Sequence, residues 1–272
     1  MLKQVQHDGL RNFLLLHMPF PFHKSLIYFS VFFIVACSAP AKLIKEESSL
    51  ININVNDSLK EDALIKQLIE PYKQDLEKEM NEVLIISTSV FEKAQPEGAL
   101  GNLVADIVFE MGNEHYRPAD FHFADFCLLN NGGLRVALPE GEITKGKIFE
   151  LMPFENEIVI VTLSGEEVSN LFRYIIEVNG QPISGLQLKN SNQPNFQALI
   201  KGVPFDKNKT YKIVTSDYLS AGNDKMEFFK SALKVEATNY KIRDAIIDYL
   251  TNEKNKGNTL KPHPGGRIIN VQ

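Results

Sequence analysis

The stretch of this sequence best suited to chemistry is NNGGLR, Asn130 to Arg135, which follows an apolar run. Its two amides can donate and accept hydrogen bonds, and its arginine offers five donors in a rigid fork that suits an anion. The glycine pair, Gly132 and Gly133, permits positive φ and a close approach of the backbone to a ligand. An ordinary β-turn with a surface arginine has the same pattern, so six residues alone do not establish a binding site.

The elements around this stretch must position it, and their patterns alternate between helix and strand. The run FHFADFCLLNN predicts a buried strand, and ITKGKIFELMP predicts a short helix that Pro153 stops. Alternating residues in NEIVIVTLSG and TYKIVTSDYL predict two further strands. Helical spacing in GALGNLVADIVFEMGNEHY and EEVSNLFRYIIEVNG predicts two helices, the second closed by Gly180. This mixture predicts an α+β fold with mixed α/β layers.

Composition and charge limit the classes of function. The chain has 272 residues, 44% of them hydrophobic, and a net charge of -5. Residues 1–36 carry three basic side chains and one acidic side chain, which leaves 26 basic and 33 acidic residues, or -7. Nucleic-acid binding needs a basic face, so we expect no nucleic-acid partner. A local basic pocket for a small anion remains compatible with this charge.

The N-terminus predicts export. In HKSLIYFSVFFIVACSAP, a weakly positive start at His23 and Lys24 precedes an apolar run that ends at Ala36. The run is short for a membrane span and typical of a signal-peptide core. IVAC resembles a bacterial lipobox, so we expect Cys37 to be the lipidated first residue of the mature chain. An uncleaved anchor and a plain secretory signal are the alternatives. Residues 1–17 are atypical of a signal, which makes Met18 a candidate start.

The predicted domains follow from this start. Residues 1–36 form a signal peptide, residues 37–57 a polar lipid-anchored tether, and residues 58–272 one domain. The domain opens with a leading helix capped by Ser58 and containing Pro71. Cys127, the other cysteine, lies in an apolar run and is predicted to be a buried free thiol. The expected location is the bacterial cell envelope, lipid-anchored, facing the periplasm or in the outer membrane.

Four blocks of the sequence occur in one order over one domain length. They are PEGALGNLVAD, NNGGLR, ALPEGEITKGKIFELMPFENEIVIVTLSG and TYKIVTSDYLSAGND. Together they resemble the C-terminal, substrate-binding domain of the bacterial and animal 5'-nucleotidases, from about Val83 to Asn270. In that family the domain binds the base and ribose of a nucleotide and brings it to two metal ions. The metals belong to a separate N-terminal metallophosphoesterase domain.

The resemblance implies a set of ligand-binding residues. Asn130 and Arg135 would hold ribose and phosphate, brought together by a bend at the two glycines. Phe154 and Tyr218 would clamp the base between two rings, although core packing is the alternative for Phe154. An amide and an acid would complete the site. The implied substrate-binding set is Asn130, Gly132, Gly133, Arg135, Phe154, Asn156, Tyr218 and Asp224.

Two departures from the family pattern bear on this site. In AGNDKM, Asn223 and Lys225 stand where the family has glycines, which predicts a stiffer loop that need not adopt the family's backbone. In EKAQPEGALGN, Ala94 stands where an arginine is expected, and Lys93 beside it is a point charge without the bidentate fork. Binding could therefore be weaker or altered in specificity. The residues of this block that match are Glu97, Gly101 and Asn102.

The family's metal centre has no counterpart in this sequence. Two metal ions need roughly six to eight Asp, His and Asn ligands from several loops. The mature chain has three histidines, His115, His122 and His263, and lacks the paired phosphoesterase motifs. GNEH at Gly112 to His115 is predicted to be a surface helix end. We therefore expect no cofactor in this chain, and two divalent metal ions in a partner.

Three hypotheses follow from the resemblance. The first is the nucleotide- or nucleoside-binding half of a split 5'-nucleotidase, attached to the membrane and acting with a separate metallophosphoesterase chain. The second is a stand-alone nucleotide-binding lipoprotein. The third is a structural envelope lipoprotein that retains the fold without catalysis. Phosphate release from AMP, with and without a metallophosphoesterase chain, distinguishes the first hypothesis from the others.

Overall fold

Helices form where apolar residues recur at helical spacing, and side chains cap several of them. The computed structural model describes residues 62–190, 196–263 and 265–270. Ser164 Oγ accepts from the backbone N–H of Glu167 at the start of one helix, and Gly180, at φ +104, closes it as predicted. The helices are α1 (Ala63–Met80), α2 (Ala99–His115), α3 (Lys145–Leu151), α4 (Gly165–Glu177), α5 (Asp217–Ser220) and α6 (Ile242–Asn255), with 3-10 turns at Asn131–Gly133 and Glu227–Ser231.

The strands of the described residues form three sheets. They are β1 (Val83–Ser87), β2 (Phe126–Leu128), β3 (Gly141–Thr144), β4 (Glu157–Ser164), β5 (Ile183–Ser184), β6 (Leu186–Asn190), β7 (Phe196–Ile200), β8 (Val203–Pro204), β9 (Thr210–Ser216), β10 (Lys234–Lys241) and β11 (Ile268–Asn270). The largest sheet has five strands, ordered β10-β4-β9-β2-β5, and is antiparallel except where β2 runs parallel to β9. A second sheet has the order β11-β6-β7-β8, and β1 pairs with β3 in a third.

The five-stranded sheet separates two hydrophobic cores. Along β4, Ile158 and Ile160 belong to a core with α2, α3 and α6, while Val159 and Val161 belong to a core with α4 and the second sheet. Successive strand residues point to opposite faces, so β4 is apolar at consecutive positions because both of its faces are buried. The predicted α+β class with mixed layers is confirmed.

The leading helix starts later than the sequence predicted. Asp62, and not Ser58, caps α1, since its carboxylate accepts from the backbone N–H groups of Leu64 and Ile65 at 2.9 and 3.2 Å. The helix continues through Pro71 to Met80. Ser58 lies outside the described residues, as do Cys37, the signal peptide and the tether, which stay predictions.

Cys127 lies in β2, between β9 and β5. The thiol is free and fully buried, as predicted, and burial raises its pKa well above the ordinary value.

None of the described helices combines the length and the hydropathy needed to cross a bilayer.

Candidate ligand-binding site

Three separate segments of the chain meet at one solvent-open cleft of about 270 Å³. The first segment is the 3-10 turn after β2, the second follows α3, and the third follows β9. The structure brings all eight sequence-predicted positions together in the cleft lining, and their binding role stays a prediction. The lining residues are Asn130, Gly132, Gly133, Arg135, Phe154, Asn156, Tyr218 and Asp224.

The glycine pair serves a different purpose from the one expected. Neither Gly132 nor Gly133 has positive φ, and the bend is a 3-10 turn closed by the N–H of Gly133 on the carbonyl of Asn130 at 3.2 Å. A methyl group at Gly133 would lie 3.0 Å from Oδ1 of Asn130, and one at Gly132 would lie 3.3 Å from its Nδ2. Glycine is therefore needed for space, because it allows the Asn130 side chain to fold over the turn.

Two aromatic rings of the lining are open to solvent. Phe154 is 40% exposed and Tyr218 is 43% exposed. The core-packing alternative for Phe154 is therefore wrong. The Arg135 guanidinium carbon lies 5.9 Å from the centre of the Phe154 ring, within reach of a cation–π contact. Exposed ring faces beside a cation suit a planar, polar ligand that stacks.

Asp224 organises the polar side of the cleft. Its Oδ1 accepts from the Tyr218 hydroxyl at 3.0 Å, and its Oδ2 accepts from the Asn130 side-chain amide. The hydrogen bond to this carboxylate raises the pKa of Tyr218, so the phenol stays a neutral donor. A carboxylate has about four lone-pair sites, which leaves Asp224 able to accept from ligand hydroxyls.

The loop around Asp224 is held in a left-handed conformation. Gly222, Asp224 and Lys225 have φ of 85, 54 and 64 degrees. Asn223, the other departure from the family's glycines, does not have positive φ, and the Tyr174 hydroxyl anchors the loop by donating to the Asp224 carbonyl at 2.8 Å. Two non-glycine residues, Asp224 and Lys225, therefore adopt a left-handed backbone conformation, which costs each of them roughly 1–2 kcal/mol of conformational free energy.

Replacing Lys225 with glycine is expected to stabilise the domain by about 0.5–1 kcal/mol. The substitution removes the left-handed strain and loses part of that gain to the greater freedom of the unfolded chain. Urea unfolding measures the change. Lys261→Gly, at an exposed loop position without positive φ, is the control and should be neutral or destabilising. A Lys225→Gly variant less stable than the parent would contradict the strain assignment.

Arg243 supports the Phe154 segment from behind, which the sequence did not reveal. This α6 arginine is buried, stacks on the Phe149 ring at 4.2 Å, and points its Nη1 at the carbonyls of Met152 and Phe154 at 3.4 and 3.5 Å. The signal that could have found it is a charged residue beside the apolar positions of the IRDAIIDYL helix. The position of Arg243 in the helix does not, however, predict which segment of the chain its side chain contacts.

The same segment is held at two more points. Glu155 accepts hydrogen bonds from Lys241 and Arg243, and these two hydrogen bonds, the one from Lys241 most, lower its pKa to about 2. The N–H of Ile242 donates to the Asn156 carbonyl at 2.9 Å. Phe154 and Asn156 therefore stand on a backbone that the start of α6 fixes.

Glu97 and Asn102 lie outside the cleft and hold the C-terminal strand. The Glu97 side chain, 11% exposed, accepts from the backbone N–H groups of Gly266, Arg267 and Ile268 at 3.0, 2.8 and 3.3 Å. It also accepts from the Asn102 amide at 2.6 Å. Glu97 and Asn102 match the family pattern, and these hydrogen bonds, which stabilise the fold, account for the match without a contact to a ligand.

The position of the missing arginine lies beside the cleft. Ala94, Lys93 and Gln95 line a neighbouring surface depression together with Asn131. The Lys93 ammonium donates to the Leu134 carbonyl at 2.9 Å, so it supports the turn that carries Arg135. Within the described lining of the main cleft, Arg135 is the cation and Asp224 the acid.

The described residues do not fit a metal centre. No three His, Cys, Asp or Glu side chains among them lie close enough together to hold an ion. His115, in the GNEH sequence, ends α2, stacks on Tyr240 with ring centres 3.9 Å apart, and contacts the Met111 carbonyl through Nδ1. No step of a metal-dependent reaction is therefore assigned to these residues.

The domain has an α+β fold with two cores and a cleft that is lined by two exposed aromatic rings, one arginine and one carboxylate, an arrangement that suits a small ligand. Residues 79–231, more than half of the chain, match the family described as "5'-nucleotidase, C-terminal domain", and no metallophosphoesterase domain is detected. The chain belongs to the 5'-nucleotidase C-terminal domain family.

Relatives of this chain are longer than it is. It is 24% identical to the trifunctional nucleotide phosphoesterase YfkN of Bacillus subtilis, over 83% of this chain and 16% of YfkN. It is 23% identical to a snake venom 5'-nucleotidase of Naja atra, over 92% of this chain and 51% of that protein. A Thermus thermophilus 5'-nucleotidase precursor shares the fold at a TM-score of 0.60 and 24% identity, over 79% of this chain and 44% of that one. The chain thus spans about half, or less, of these relatives.

Proposed function

We propose that this chain is the nucleotide- or nucleoside-binding half of a split 5'-nucleotidase, acting with a separate metallophosphoesterase chain that holds two divalent metal ions. The observation that supports the proposal is the convergence of three segments on one cleft with two solvent-exposed rings. The stand-alone nucleotide-binding lipoprotein and the structural envelope lipoprotein remain the competing hypotheses.

Each side of the cleft suits one part of a nucleotide. Phe154 and Tyr218 present ring faces to the base, and base stacking on an aromatic ring contributes roughly 1–3 kcal/mol. Asp224 and the Asn130 amide can bond to ribose hydroxyls. Arg135 offers a fork to an anionic or ribose oxygen.

The size and charge of the cleft limit how much of the ligand it takes. Its volume of about 270 Å³ lies just below the roughly 300–1,000 Å³ of small-molecule pockets. One arginine beside one carboxylate leaves the lining with no net formal charge. We infer that the base and sugar occupy the cleft and that the phosphate projects from it, where a partner's metal ions can reach it.

Phosphate release from AMP tests the proposal. The purified chain alone, with added Zn²⁺ or Mn²⁺, should release no phosphate, because no three His, Cys, Asp or Glu side chains in the part of the chain that the structure describes could hold a metal ion. Adding a metallophosphoesterase chain encoded beside this one should produce metal-dependent release. Turnover by this chain alone, abolished by a substitution within it, would contradict the split arrangement. AMP binding without turnover in any mixture would favour the stand-alone binding protein.

We further propose attachment to the bacterial envelope through Cys37. Replacing Cys37 with serine should release the protein to the soluble fraction or block its processing, because the acylated side chain is lost. One lipid chain gives marginal attachment, and the several chains of a bacterial lipoprotein would hold it firmly. Membrane fractionation with Cys127→Ser as the matched control measures this. Unchanged fractionation of the Cys37 variant would show that the lipobox interpretation is wrong.

A further inference from the structure

Gln181 and Tyr174 form a hydrogen-bonded path between two segments that line the cleft. Gln181 Oε1 accepts from the backbone N–H of Asn131 at 2.9 Å, in the turn that follows Asn130. Gln181 Nε2 donates to the Tyr174 hydroxyl oxygen at 3.4 Å, and that hydroxyl donates to the Asp224 carbonyl at 2.8 Å. Gln181 and Tyr174 are not among the described residues that line the cleft. The path therefore joins the two polar segments of the cleft from outside its lining.

The chemistry of the groups fixes the direction of each hydrogen bond along this path. A backbone N–H can only donate, so Gln181 presents its Oε1 to Asn131, which leaves its Nε2 facing Tyr174. A carbonyl can only accept, so the single proton of the Tyr174 hydroxyl goes to Asp224. The hydroxyl oxygen then accepts from Gln181. Each group on the path thus has the partner that its chemistry requires.

The path ends on the residue whose carboxylate organises the polar side of the cleft. Asp224 has a φ of 54 degrees, a strained conformation for a residue other than glycine, so its backbone needs support from its surroundings. Its Oδ1 accepts from the Tyr218 hydroxyl at 3.0 Å, and its Oδ2 accepts from the Asn130 amide. A shift of the Asp224 backbone would therefore move the carboxylate away from both donors.

Tyr174 can give this support because its own position is fixed. It lies near the end of α4, and its ring packs edge-on against the buried Phe228 ring, with ring centres 5.8 Å apart. Burial raises the pKa of the Tyr174 hydroxyl, so the group stays a neutral donor. The Asp224 carbonyl is therefore held by a group that belongs to a packed helix and not to the loop itself.

We propose that Tyr174 and Gln181 are positioning residues, which hold the Asp224 carboxylate and the Asn130 amide where they meet the hydroxyl groups of a sugar. This inference rests on the proposed function, in which Asp224 and Asn130 bond to ribose hydroxyls. It implies that the preference for a ribose over a sugar without hydroxyl groups depends on two residues outside the cleft lining.

Calorimetry with adenosine and with its dideoxy analogue, which lacks the ring hydroxyls of ribose, tests Tyr174. Tyr174→Phe removes the hydroxyl and keeps the ring, so Asp224 loses its support while both stacking rings remain. We expect adenosine to bind about 3- to 10-fold more weakly, the effect of one hydrogen bond, and the dideoxy analogue to change by less than about twofold. Equal weakening of both compounds, or unchanged adenosine binding, would overturn the assignment of Tyr174.

Tyr211→Phe is the matched control for this variant. The Tyr211 hydroxyl also donates to a backbone carbonyl, that of Asp206, at 2.9 Å, and it accepts from the Asp206 N–H at 2.8 Å. Tyr211 is not among the described residues of the cleft lining. The control should bind both compounds as the parent does, and a control with the same selective loss as Tyr174→Phe would contradict the inference.

Gln181→Glu tests the direction of the path without shortening a side chain. The carboxylate still accepts from the Asn131 N–H, but it cannot donate to Tyr174 and competes with the Asp224 carbonyl for the hydroxyl proton. We expect the same selective loss of adenosine affinity as in Tyr174→Phe. Both compounds are uncharged, so the added charge should affect them alike. Parent-like adenosine binding would overturn the assignment of Gln181 and retain that of Tyr174.

A measurement without ligand separates this inference from the proposed function. The hydrogen bond to Asp224 raises the pKa of Tyr218, so displacement of the carboxylate in Tyr174→Phe should lower that pKa toward its ordinary value. Carbon NMR titration of the tyrosine rings measures the change, and Tyr211→Phe should show none. A parent that binds neither compound would overturn the proposed function. The Tyr218 pKa would then decide the positioning role, since a fall supports it and an unchanged value overturns it.

Discussion

Replacing Glu97 with alanine is expected to destabilise the domain by about 3–5 kcal/mol, the loss typical of removing one partner from a buried charged network. Three consecutive backbone N–H groups, of Gly266 to Ile268, would lose their common acceptor. The Asn102 amide would lose its acceptor as well. The N–H groups of Arg267 and Ile268 and the Asn102 amide are partly buried, and leaving such donors unsatisfied is costly, so β11 should detach from β6 before the rest of the domain unfolds.

Urea unfolding and amide hydrogen exchange measure this effect. Glu253→Ala is the control, because that carboxylate is also a hydrogen-bond acceptor. Its two donors, however, are the side chains of Lys256 and Asn258, which are close to it in the sequence. We expect the control to lose less than about 1 kcal/mol, as is usual for surface ion pairs. A Glu97→Ala variant as stable as the Glu253→Ala variant would show that the hydrogen bonds accepted by Glu97 contribute little to stability.

Replacing Phe154 with alanine is expected to weaken adenosine binding by roughly 1–3 kcal/mol, or about 5- to 150-fold. The variant keeps the polar groups of the cleft and removes one stacking face. Calorimetry with adenosine and with AMP measures the change. Phe123→Ala, which removes another partly exposed ring outside the cleft lining, should bind as the parent does.

Arg135→Lys gives an independent check on the same site. Lysine keeps the positive charge and loses the planar fork, so affinity for AMP should fall although the charge is conserved. Binding that survives both Phe154→Ala and Arg135→Lys unchanged would exclude this cleft as the nucleotide site. The structural envelope lipoprotein would then be the hypothesis to pursue.

The fold was predictable where burial leaves a periodic pattern. Helix α2 has apolar residues at helical spacing, and strand β4 has a short run of β-branched apolar residues, which is typical of a buried strand; both lie where the sequence places them. Strand β10 escaped prediction because its residues, KVEATNYK, are mostly polar. It is an edge strand that pairs with β4 alone, so backbone hydrogen bonds rather than apolar burial define it. The strand before Asn130 is shorter in the structure than the apolar run that predicted it, because β2 comprises only Phe126–Leu128.

The site was predictable only through the resemblance to a family. Nothing in the spacing of Asn130, Phe154 and Tyr218 shows that they meet, because the fold alone brings three distant segments together. The sequence also did not show the supporting roles of Arg243 and Tyr174. Both side chains donate to backbone carbonyls of the segments that line the cleft. A carbonyl acceptor leaves no trace in residue type, so such supports are visible only in the structure.

The buried Cys127 thiol can report on local unfolding of the domain core. The sulfur is fully buried in the hydrophobic core that α2 covers, so an alkylating reagent can reach it only after the packing around β2 opens. Under conditions where reclosing is faster than alkylation, the labelling rate measures the equilibrium of that opening. The same geometry governs oxidative damage, because an oxidant must also wait for that opening. The lifetime of the reduced thiol in oxidising surroundings is therefore set by the stability of the fold.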